Sequence, residues 1–168
     1  MKPGRGAELA GLLLRAVVGS TMIAHGVRHG RGLEGTSRWF EGLGYREPRL
    51  QAKASCAVEV GAGAALLLGV ATPMASSAVV GTMAVAAQTV HRRNGFFVTD
   101  EGYEYVLVIA AAATAVASLG GGSLSVDRLV GLDRRLSGPW IAVLAAGLGC
   151  GGAAAQLRMY WRRPGLPE

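Results

Sequence analysis

From Ala54 to Val90 the chain carries one charged side chain, Glu59, and from Val106 to Gly122 it carries none. Stretches this long without charge leave few homes for a polypeptide. A helix needs about 20 apolar residues to cross the hydrocarbon core of a bilayer. Soluble domains are about 25% charged, whereas this chain of 168 residues is 17% charged and 51% hydrophobic. The pattern predicts an all-α, polytopic membrane protein.

Five apolar segments follow from the breaks between them, at residues 8–29, 50–69, 73–91, 103–119 and 139–160. Pro73 in "GVATP" suits the first turn of a new helix. "GGGS" closes the fourth segment, and "VDRLVGLDRRLSG" reads as a polar, amphipathic connector. The expected organisation is a four-helix transmembrane bundle within residues 1–127. Residues 128–168 then supply the connector, a fifth transmembrane helix and a basic tail. The N-terminal stretch looks superficially like a signal peptide, but Arg15 interrupts its apolar region, so it is read as a retained first helix. Between the first two segments, Trp39, Phe40 and Leu43 share a helical side, which suits a short helix at the membrane interface or an aromatic belt. Gly147, Gly151 and Ala155 at four-residue spacing are expected to allow close helix packing.

A net charge of +6 invites a nucleic-acid reading, but the basic residues sit in short blocks at the ends of apolar runs. That is where anionic lipid attracts them, and no nucleic-acid partner is expected. Lys2, Arg5, Arg128, Arg134 and Arg135 fall on the N-terminal side of the bundle, here side A. Eleven fall on side B: Arg28, Arg31, Arg38, Arg46, Arg49, Lys53, Arg92, Arg93, Arg158, Arg162 and Arg163. The positive-inside rule then places side B in the cytoplasm of a plasma-membrane protein. Cys56 and Cys150 both lie in apolar segments without a C-x-x-C or zinc spacing, and are read as small buried hydrophobes.

The informative residues are the polar ones inside the spans. Arg15 and Glu59 sit near mid-depth of the first two segments, about 5 Å apart along the axis at 1.5 Å per residue. An ion pair between them would relieve the cost of two intramembrane charges. It would either fix helix register or form the floor of a ligand or proton site. His25, His91 and Glu104 all fall at the side B ends of their segments, with Asn94, Phe96, Phe97, Tyr103 and Tyr105 alongside. Three chemistries fit these residues. Two histidines from different helices could ligate a haem or metal. A histidine beside a glutamate could exchange protons with a quinone headgroup. His91, Asn94 and Glu104 could also cap helices and hold the loop. Quinone is favoured over haem. His25 and His29 have metal-like i, i+4 spacing but no third ligand nearby, and no metal site is expected.

Five stretches, in order, resemble the DoxX family of membrane proteins. They are "LLLRAVVGSTMIAHGVRH", "WFEGLGY", "AVEVGAGAALLLGVATPMAS", "TVHRRNGFF" and "GYEYVLV", spanning about residues 9–127. The resemblance implies a four-helix membrane bundle. It also implies kinship with small membrane subunits of thiosulfate:quinone oxidoreductases and, among actinobacterial relatives, a link to oxidative-stress defence. Arg15, His25, Glu59, His91, Asn94 and Glu104 match its polar set. The fifth segment and the tail "RMYWRRPGLPE" depart from it.

The reading carried forward is a membrane subunit of a quinone- or thiol-linked redox system with protein partners. His25, His91 and Glu104 would be its titratable groups. Arg15, Glu59, Asn94, Phe97, Tyr103 and Tyr105 would line the ligand site. Two other classes stay open: a scaffold or accessory subunit without chemistry, and a small transporter built on Gly61 and Gly63 beside Glu59. No dinucleotide fingerprint or nucleophile–base pattern is present.

Overall fold

The computed structural model describes residues 4–133 and 135–165. Lys2 and Arg134 of the charge count, and the last residues of the basic tail, lie outside them. The helices are α1 (Arg5–Arg31), α2 (Leu33–Gly42), α3 (Pro48–Leu68), α4 (Thr72–Ala86), α5 (Glu104–Leu119), α6 (Val126–Leu129) and α7 (Pro139–Tyr160). The five long ones coincide with the five apolar segments. Proline opens α3 and α7 and stands in the first turn of α4, where its missing N–H is no loss. α1 and α7 are long and apolar enough to cross a membrane, and α5 is a shorter apolar helix.

α1, α3, α4 and α5 close a ring, and α7 packs outside it against α4 and α5. Inside the ring, Val18 and Met22 of α1 meet Leu66 of α3, Val79 of α4, and Ile109 and Val116 of α5. The outer surface is apolar as well: Leu13, Val17, Leu68, Val108, Val143 and Leu144 are all more than half exposed. Apolar side chains both inside and outside mark a chain made to sit in lipid.

Glycines set the register. A Cβ at Gly19 would stand 2.7 Å from the Gly63 carbonyl oxygen, so α1 and α3 touch backbone to backbone there. A Cβ at Gly149 would stand 2.5 Å from the Ser77 carbonyl oxygen, which binds α7 to α4 in the same way. The expected packing stripe of Gly147 and Gly151 instead faces open space. Helical residues two apart lie on opposite faces, so Gly149 turns inward and that pair turns out. Cys150, expected to be buried, is exposed for the same reason, while Cys56 is half-buried.

The expected Arg15–Glu59 pair does not form. With Gly19 held against Gly63, the antiparallel helices place the two side chains eight residues apart in depth, roughly 12 Å by the helical rise. Arg15 is 2% exposed. Its Nε donates to the Leu66 carbonyl at 2.8 Å, and Nη2 to Leu67 at 2.9 Å. Nη1 donates to the carbonyls of Gly121 and Leu124. The guanidinium therefore satisfies the end of α3 and the loop after α5 at once. Next to it Asp127 accepts from Ala71 N at 2.7 Å, Thr72 N at 2.9 Å and Thr72 Oγ1 at 2.7 Å. α4 has no capping side chain of its own, and Asp127 supplies one from α6, 55 residues further along the chain. Gly69 between them, at φ 63°, has no room for a Cβ beside Ser125 and Arg15.

Two substitution pairs test this packing by thermal melting in detergent. Arg15→Ala strands several buried carbonyls and is expected to cost about 3 kcal/mol or more; Arg15→Lys restores little, having no fork to reach both segments. Gly149→Val is expected to cost about 1–3 kcal/mol by overpacking, whereas Gly147→Val changes stability by less than about 0.5 kcal/mol.

Candidate functional site

On side B the packing loosens. α2 folds back across the side B ends of α1 and α3, with Phe40 and Leu43 buried and Trp39 half exposed. Beneath it lies a cavity of about 620 Å³, a size that suits a small ligand. Its walls come from the side B halves of α3, α4 and α7, and its roof from Trp39, Phe40, Leu43 and Tyr45. The interfacial helix expected from the aromatic triplet is thus also the lid of a cavity. At the side B end of α4 the helix widens into a π turn, Ala87–His91, which places Thr89 and Val90 in the wall. Such turns recur at functional sites.

The walls are mainly apolar, with a few polar groups. Glu59 is 4% exposed. Its Oε2 lies 3.1 Å from His29 Nδ1, and its Oε1 accepts from Ser55 Oγ at 2.7 Å. Gly26 allows α1 to close on α3 beside it, since a Cβ there would lie 2.9 Å from Glu59 Cβ. Gln156 Nε2 donates to Gln51 Oε1 at 2.8 Å, joining α7 to α3. Tyr45 is 5% exposed and its hydroxyl has no hydrogen-bond partner. Thr89 Oγ1 lies nearby but donates to the Val85 carbonyl at 2.9 Å. Burial pushes the Tyr45 phenol above its ordinary pKa, an effect that Thr89 only partly offsets, so it remains a donor at neutral pH.

The side B wall is braced by the tail. Tyr45 and Trp161 form an antiparallel bridge. Arg46 N donates to the Tyr160 carbonyl at 2.7 Å, Arg162 N to the Gly44 carbonyl at 2.9 Å, and Trp161 Nε1 to the Leu43 carbonyl at 2.7 Å.

The residues singled out in the sequence divide into three groups. Glu59 lines the cavity. His25 is exposed one turn before His29, with ring centroids 6.3 Å apart, and stands 6.4 Å from the ring of Tyr105. Tyr105, His25, His29 and Glu59 therefore run in a string from the surface to the cavity. The remaining residues hold their own loop. His91 Nδ1 is 2.6 Å from the Glu101 carbonyl, and Asn94 Nδ2 donates to the same oxygen at 3.3 Å. Glu104 Oε2 accepts from Val98 N at 2.9 Å, and Phe96 stacks edge-on against both Phe97 and Tyr103. None of these loop residues lines the cavity, and Arg15 lies at the opposite end of the bundle.

Sequence reasoning weighed His29 only as a metal-ligand partner of His25, and passed over Tyr45, Gln51 and Gln156. His29 was visible as the partner of His25, and the two glutamines as amides within apolar helices. Tyr45 gave no signal, because its burial depends on the tail folding back. No group of three metal-ligating side chains occurs among the described residues.

The model of the DoxX family matches residues 10–92. No curated protein and no solved structure matches the chain.

Replacing Glu59 separates charge from hydrogen bonding. Glu59→Gln keeps partners for both Ser55 and His29, and its melting is expected to stay within about 1 kcal/mol of the parent. His29→Ala strands a buried carboxylate and is expected to cost about 2–3 kcal/mol in the same assay.

Proposed function

From the premise that this chain belongs to the DoxX family and is an integral membrane protein, we propose that it is the quinone-binding membrane subunit of a redox system, multi-pass in the plasma membrane. The observation that carries this reading is the buried Glu59–His29 pair in the wall of an otherwise apolar cavity. As electrons arrive, quinone carbonyl oxygens become hydroxyls, and each needs a proton. A histidine hydrogen-bonded to a carboxylate can hold and pass one. His29 is 24% exposed at its side chain against 5% for Glu59, so the pair spans the step from cavity to surface, with His25 beyond it. The electrons come from a partner redox protein; this chain contributes the binding site and the proton path. Only His29 of the three histidines lines the cavity, so a two-histidine haem would lack its second axial ligand there.

In this topology α1, α3, α4 with its π turn, α5 and α7 each cross the bilayer, side B facing the cytoplasm. The apolar outer surface of α3 and α5, at Val58, Leu67, Leu107 and Val108, supports it. A scaffold reading keeps one specific support, the exposed Phe97 and Val98 on a loop that holds its own shape, as a partner-docking element would.

The deciding experiment is solvent extraction of gently purified protein followed by mass spectrometry. A prenylated quinone is expected with the parent chain and about tenfold less with Ala54→Phe, which fills the cavity. No quinone, with partner proteins still co-purifying with Ala54→Phe, would establish the scaffold instead. Single cysteines replacing Arg93 and Ser123 in a cysteine-free background report the topology. In intact cells an impermeant maleimide is expected to label the second and spare the first.

A further inference from the structure

α3 and α7 both wall the cavity, yet they do not pack against each other as α4 and α7 do. They meet through the Gln51–Gln156 hydrogen bond near side B. Counting along both helices from that bond, antiparallel register sets Ala54 roughly level with Gly152 and Val58 roughly level with Leu148. All four line the cavity. Val58 is 43% exposed and Leu148 70% exposed, so the same side chains face both the cavity and the outside. A Cβ at Gly152 would meet nothing within 4 Å. The cavity is therefore open sideways, through a slit with aliphatic edges in the lipid-facing surface.

Inside, one donor is unspent. Tyr45 lines the cavity, and its hydroxyl is enclosed in the wall with no hydrogen-bond partner. Leaving a buried donor unmade is costly, and such a group waits for an acceptor brought by the occupant. Glu59 and His29 already bond to each other, and Gln51 to Gln156, so Tyr45 is the free recognition element.

Resting on the quinone reading above, we propose that the cavity takes its ligand laterally from the bilayer. The isoprenoid tail lies in the α3–α7 slit, and the Tyr45 hydroxyl donates to a headgroup carbonyl. The slit explains why a fifth helix is needed: α7 supplies one edge of the portal and, through Gln156, its upper bar. It also fits a cavity whose polar groups are few and whose mouth is greasy, since an amphiphile presents those surfaces in that order.

The test uses the full chain in lipid nanodiscs and follows quenching of Trp39, which lines the cavity; subtracting a Trp39→Phe sample isolates its signal. Two probes are compared, a quinone with a long isoprenoid tail and the same ring without a tail. Gly152→Leu fills the slit and is expected to weaken the tailed quinone about tenfold while leaving the bare ring within about twofold. Tyr45→Phe keeps the aromatic packing and is expected to weaken both roughly three- to tenfold. If Gly152→Leu affects both probes alike or neither, the lateral slit is wrong. If Tyr45→Phe binds both as the parent does, the recognition role is wrong. In either case the quinone reading survives as long as the bare ring quenches the parent. If neither probe quenches the parent, the quinone reading falls, and this proposal with it.

Discussion

A guanidinium surrounded by backbone carbonyls holds the architecture together. In hydrocarbon no water is available for the open carbonyls at the end of a helix, so the protein must satisfy them itself. Arg15 does so for α3 and for the loop after α5, and Asp127 does the complementary work for the open N–H groups of α4. One cation on α1 and one anion beyond α5 thereby seal side A. A planar fork of five donors suits this task, which a lysine ammonium could not perform. Because side A is closed and densely packed, space in the bundle is left to the other end.

The side B half inverts that arrangement. There α3 and α7 diverge, α2 lies across the top, and a π turn widens α4. The buried acid is held not by the distant arginine but by a histidine one helix away. This changes what the acid can do. A carboxylate locked to an arginine is a structural anchor, whereas one facing a histidine has a partner able to give or take a proton. The position of Glu59 in depth, decided by glycine contacts several residues away, thus determines which partner it meets.

The loop of residues 91–105 shows how the same composition can serve a different end. Its histidine, asparagine and glutamate are spent on the loop's own backbone. Gly102 lies so close to Gly95 and Phe96 that a Cβ would come within 2.6 Å of them. The loop is built to keep its shape on the surface. Only Tyr105, through His25, touches the string that leads to the cavity.

The apolar runs and their glycine and proline breaks determined five long helices and the membrane as their solvent, because hydrophobic length and backbone-breaking residues act locally. The polar residues within those runs were legible as candidates for the same reason: a charge in hydrocarbon is conspicuous wherever it falls. Which of them meet was not legible. Partners depend on helix register and rotation, and these follow from contacts such as Gly19 against Gly63 and Gly149 against Ser77, far apart in the chain. Only the tertiary structure separated Arg15 from Glu59, turned Gly147 outward and brought the tail to bury Tyr45. Those outcomes follow from close packing between helices, which no single stretch of residues encodes.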